Sequence, residues 1–105
     1  MSSLSDKDFD IPGIVGFAVL DEAGEVSLSS GEEAEGLETV APYLTHMANL
    51  IGEPFGFDVV EEAHLVGKHT TAVCVPHDEE IIALLCESKA KIPSIVKKLT
   101  RPASL

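Results

Sequence analysis

A chain of 105 residues is long enough for one small domain and too short for a thick core. Hydrophobic residues make up 45% of it, with no tryptophan and one tyrosine, so the core is aliphatic. A net charge of −11 argues against nucleic acid as the partner.

The charge is unevenly placed. Residues 1–88 carry all 18 acids with only Lys7 and Lys68 against them, whereas Lys89, Lys91, Lys97, Lys98 and Arg101 follow with no acid among them. A basic helix end that complements its own dipole and the acidic body accounts for this better than an anion-docking patch. The first ten residues lack the apolar core of a signal peptide, and no apolar run approaches the ~20 residues of a membrane helix. The expected location is the cytoplasm.

Residues 1–12 are a polar segment before Gly13. Ile14-Val-Gly-Phe-Ala-Val-Leu20 is an apolar run of strand length, Asp21 to Glu25 supply a turn, and residues 26–30 alternate as a half-exposed strand. Glu32-Glu-Ala-Glu35 reads as a solvated acidic loop. From Leu37, apolar residues recur at 37, 40, 41, 44, 47, 48, 51 and 55, which is helical spacing. The helix is expected over 37–51, with Thr39 near its N-cap, Pro42 in its first turn, and Gly52 and Pro54 ending it. Tyr43, Met47 and Leu50 form a second stripe that widens the apolar arc to roughly 180°, against ~100° for a helix packed on one surface. So wide a face points to an intermolecular contact.

Residues 57–66 read as a third strand, 70–75 as a fourth and 80–86 as a fifth, with Pro76 to Glu79 turning between the last two. Pro93 opens a short C-terminal helix. Strands one, four and five are apolar on both faces and therefore central; strands two and three alternate and are edges. A hairpin and a three-stranded meander then join through strands one and five. The fold class is α+β: an antiparallel sheet in the order 2-1-5-4-3, the long helix on one face and the C-terminal helix with the N-terminal segment on the other. The four-residue turn places Val75 opposite Glu80. Cys74 and Cys86 then lie about five positions out of register, on the order of 15 Å apart, too far to bridge.

Catalytic chemistry has little support. There is no phosphate-binding loop, dinucleotide fingerprint or Cys-x-x-Cys pair. Gly13 and Gly16 are better read as close-packing positions than as a phosphate cradle. His46, His64, His69 and His77, even with Asp78 and Glu79 beside the last, do not make the three or four convergent ligands a zinc site needs. No catalytic, metal or cofactor residue is assigned. The candidate interface residues are Tyr43, Met47 and Leu50, with His64 on the third strand, whose edge Glu61 and Glu62 only partly blunt.

The segment Ile11-Pro-Gly-Ile-Val-Gly-Phe-Ala-Val-Leu-Asp-Glu-Ala-Gly-Glu resembles the first hairpin of the roadblock family. Thr71-Ala-Val-Cys-Val-Pro-His-Asp-Glu-Glu-Ile-Ile-Ala-Leu-Leu is similar to that family's strand, Pro-acidic turn and final strand. The resemblance covers about residues 11–100, and departs in having only a dozen residues where the family usually has an N-terminal helix. It implies a single roadblock-like domain over 1–105, homodimers built through the long helix and an edge strand, and non-catalytic scaffolding. The family includes roadblock-type dynein light chains and prokaryotic regulators of Ras-like GTPases. The function it implies is an adaptor that binds and regulates a Ras-like small GTPase. The alternatives are an accessory protein of a sulfur-metabolising redox complex resembling heterodisulfide reductase, and a profilin-like small-ligand sensor.

Overall fold

The computed structural model describes residues 4–100. In chain order these form β1 (Ile14–Leu20), β2 (Val26–Gly31), α1 (Ala34–Gly52), β3 (Ala63–Val66), β4 (Thr70–His77), β5 (Glu80–Glu87) and α2 (Ile92–Leu99), with single helical turns at Asp6–Phe9 and Glu53–Phe55. The five strands make one antiparallel sheet in the order β2-β1-β5-β4-β3, as the two-sided apolarity of the central strands requires.

The two faces of the sheet differ in their packing. On one, Phe17, Val19, Val73, Val75, Ile82, Leu84 and Cys86 meet Ile95, Val96 and Leu99 of α2 and Phe9 of the N-terminal turn. Phe9 stacks on Phe17 with ring centroids 4.1 Å apart. The other face is floored by small residues, Ala18, Cys74 and Ala83 with Leu20, and α1 lies on it through Leu37, Ala41 and the half-buried Leu44.

The helix begins earlier than its apolar spacing indicates. Gly31 (φ +89°) and Glu33 (φ +55°) turn the chain off β2 and across β1. Gly16, opposite Gly31 in the ladder, has no room for a Cβ because the Glu32 carbonyl sits where it would be. Leu37 N–H then donates to Glu33 O at 3.0 Å, so Ala34 and Glu35 are the first helical turn and not a loop. Acids there complement the helix dipole. Thr39 is no cap: its Oγ1 donates to Glu35 O inside the helix. Pro42 accordingly lies in the helix interior, where it removes the N–H that would reach Glu38, at a cost of ~3 kcal/mol for an isolated helix. Leu37, Ala41 and Leu44, held against the sheet on either side of it, keep the helix continuous.

The third strand is shorter than expected, Ala63–Val66, and residues 57–62 are not in the sheet. They are tied to the end of α1: Phe57 N–H donates to Gly52 O and Val60 N–H to Asn49 Oδ1 at 3.0 Å. A side chain at Gly52 would collide with Phe57 and Val60, so this loop packs over the bare helix end.

The β4–β5 hairpin also corrects the expected register. Its loop is only Asp78 and Glu79, with His77 opposite Glu80 and Val75 opposite Ile82. Cys74 pairs with Ala83 and Cys86 with Thr71, so the cysteines are three positions apart, not five, and on opposite faces of the sheet. They remain free. The two-residue loop needs positive φ at both positions, and Asp78 (+47°) and Glu79 (+64°) adopt it without glycine. Glu79→Gly should therefore stabilise the fold by about 1 kcal/mol, since a left-handed L-residue costs about that much or more. The thermal midpoint should rise by several degrees; an unchanged or lower midpoint would contradict the strained-turn reading.

Candidate interaction surface

α1 presents three kinds of surface around its circumference. Leu37, Ala41, Leu44 and Ala48 face the sheet, and Thr45 and Asn49 flank the side that carries Val60 and Ala63. The remaining arc holds an uncharged apolar stripe turned to solvent. Tyr43 is 68% exposed, Met47 37%, Leu50 48% and Ile51 63%, with Val40 among them. The structure thus brings Tyr43, Met47 and Leu50 together on one outward helix face and adds Val40 and Ile51, which belong to the same spacing.

His64 does not join them. It lies on the exposed edge strand, opposite Val73, whose side chain is on the α2 side of the sheet. Its Nε2 is 2.8 Å from Glu62 Oε1. The α1 side of that edge is held instead by Leu65, in a cross-strand row with Ala72 and Leu85. Leu65 and Val66 are exposed, as are Phe55, Phe57 and Val59 in the loop after α1, and the two phenyl rings lie 5.7 Å apart. Reading 57–66 as one strand concealed these loop residues; the Pro54-Phe-Gly-Phe57 sequence, rich in turn formers around two aromatics, is the signal that could have found them.

Of the other histidines, His77 Nε2 is 3.3 Å from Asp78 Oδ2, and His46 and His69 are exposed. Among the described residues no three His, Cys, Asp or Glu side chains are placed to hold a metal ion, and no helix is long and apolar enough to cross a membrane. The thiols are buried in apolar surroundings. Burial pushes the Cys74 thiol up to about 11 and raises that of Cys86 as well. Because the folded value lies above the ordinary 9.0, the stability this contributes is whole below pH 9 and is lost as pH rises toward 11. At pH 8, alkylation of the native protein should be far slower than of the denatured chain, in which both thiols should react. Prompt labelling of the native state, or a mass two protons short, would contradict the buried, unbridged assignment.

No family model matches the sequence, and no curated protein matches it. Solved structures do. A roadblock/LC7 domain from Streptomyces avermitilis superposes with a TM-score of 0.73 at 17% identity, over 86% of this chain and 79% of that one. Myxococcus xanthus MglB gives 0.68 at 9% identity, over 88% and 76% of the two chains. An MglB with a tetrameric arrangement gives 0.73 at 11% identity, over 89% and 74%. With the strand order, the helix crossing from β2 over the sheet and these superpositions in agreement, the chain has the roadblock fold.

Proposed function

We propose that this protein is a non-catalytic homodimeric scaffold that binds and regulates a Ras-like small GTPase. The observation that carries the reading is the uncharged apolar stripe on the outward face of α1. Each large apolar side chain contributes about 1.5–3 kcal/mol when fully buried. Association costs roughly 4–15 kcal/mol. Tyr43, Met47 and Leu50 from two subunits come near balance against that cost, and Val40 and Ile51 beside them tip it toward a stable pair. A two-fold contact lets the same stripe serve both partners. The exposed β3 edge, where Leu65 and not His64 faces the α1 side, would extend it. An MglB of the same fold with a tetrameric arrangement, and the resemblance of the two hairpins to a family that includes GTPase regulators, support the same reading.

Charge separates the two contacts. Two chains of −11 repel, so salt should tighten the homodimer by screening, whereas docking on a basic surface of the GTPase should slow as salt rises. The test is capture by the full chain from lysate of its own host, followed by nucleotide hydrolysis and exchange assays on any GTPase recovered. A recovered GTPase whose rates change on adding the protein supports the proposal. Recovery of iron–sulfur or flavin subunits in its place would favour the redox-accessory alternative. Stoichiometric binding of a nucleotide or turnover of a substrate by the purified protein would refute the scaffold reading.

A further inference from the structure

Two clefts of opposite charge lie at the two ends of the sheet. Beyond the end of β1 and the start of β5, an open cleft of about 510 Å³ is walled by Asp21, Glu22, Asp78, Glu79 and Glu80. At the other end, before β1 and after β5, a cleft of about 350 Å³ has apolar walls from Ile11, Pro12, Ala90 and Ile95, and Lys89, Lys91 and Lys98 at its rim. Glu87 is its one acid. It lies against α2, on the face of the sheet away from α1.

Two facts make this more than a solvated basic helix end. First, in a protein with 18 acids, none of these lysines is paired among the described residues, where the close acid contacts of basic side chains are those of His64 and His77. Second, the cations sit at the wrong end of α2 for its dipole. Lys91 is the N-cap, Lys89 precedes it, and no acid lies in the first turn, although negative charge is what a helix start favours. Lys97 and Lys98 complement the C-terminus, but Lys89 and Lys91 add positive charge to a positive pole. The arrangement is poor for the isolated chain and suits an anionic visitor.

We propose that this cleft docks an acidic segment of a partner protein, with an apolar side chain seated between Ile11, Ala90 and Ile95 and flanking carboxylates on Lys89, Lys91 and Lys98. The apolar walls favour a peptide over a bare anion. The acidic far end repels the same segment, so the field of the molecule orients it toward the lysines. This cleft is independent of the α1 stripe and remains open in a dimer built on that stripe.

The probe is the labelled peptide acetyl-Glu-Asp-Leu-Phe-Asp-Glu-amide, titrated with the full chain by fluorescence anisotropy at low ionic strength, with amide chemical shifts mapping the contact. Binding should perturb residues around Gly13 and Ala90. The double variant Lys91→Glu/Lys98→Glu should weaken it about tenfold, since each exposed pair contributes up to about 1 kcal/mol. His46→Glu, exposed on α1 across the sheet from the cleft, adds negative charge away from it and should leave binding unchanged. Both variants lie on exposed positions, and an unaltered unfolding transition verifies that they fold. Three results would overturn the proposal: equal loss with His46→Glu, competition by citrate at the peptide's own affinity, or shifts that map away from the cleft. If the acidic end of a second copy were the occupant, the same double variant would lower the protein's mass in solution without the peptide, and that result too would overturn it.

Discussion

Leu50→Glu is expected to convert the dimer to a monomer. Leu50 lies within the apolar stripe of α1, half-exposed in the single chain, with Tyr43, Met47 and Ile51 around it. In the proposed two-fold contact each subunit would bury one glutamate without a partner, and burying an unpaired carboxylate costs several kcal/mol per ion. That penalty, incurred once in each subunit, opposes the gain from burying the apolar side chains around it. The chain itself should be little affected, because the substituted side chain points away from the sheet. Light scattering should give the mass of one chain, and circular dichroism an unchanged helix and sheet content. A dimeric Leu50→Glu protein would place the interface elsewhere.

Leu84→Ala is expected to destabilise the fold by about 2–5 kcal/mol. Leu84 is fully buried in the middle of β5, between Phe17 on β1 and Val73 on β4, under α2 and the N-terminal turn. The sheet on both sides is continuous, so the surroundings have little freedom to collapse into the cavity. A domain of this size has ~5–15 kcal/mol of stability in total, and this one substitution removes a large fraction of it. Urea unfolding at fixed protein concentration is the measurement, since dimerisation makes the midpoint depend on concentration. A loss below about 1 kcal/mol would mean that the α2 side of the sheet is more loosely packed than the buried cluster indicates.

Where the residues declare their environment, the fold was legible. Strands β1, β4 and β5 carry apolar side chains at consecutive positions, which only a sheet covered on both faces accommodates, and this alone orders all five strands. The misread boundaries share a different cause. The helix start depends on Gly31 and Glu33 adopting left-handed backbone over Gly16, a contact between residues far apart in sequence that no local pattern encodes. The β4–β5 loop is tight although neither Asp78 nor Glu79 is the glycine or asparagine that normally signals such a turn. Phe57, Val59 and Val60 have strand composition, but Asn49 and the bare Gly52 draw their backbone to the helix end.

The candidate surface was partly legible for the same reason. An apolar arc too wide for one packing face is a property of spacing, so Tyr43, Met47 and Leu50 stand out from sequence, and all three are exposed. His64 was placed on the correct strand, but the side of the sheet it faces follows from a register that the sequence does not show. Leu65 and the Phe55–Phe57 pair escaped notice because their exposure depends on where β3 begins.

In the proposed scaffold, the outward face of α1 joins two copies of this chain. Multi-angle light scattering of the unmodified protein, from low to high micromolar concentration at moderate salt, tests it most directly. The expected mass is twice the 11.1 kDa of one chain, held more firmly as salt increases. A mass of one chain persisting at high micromolar concentration would contradict it.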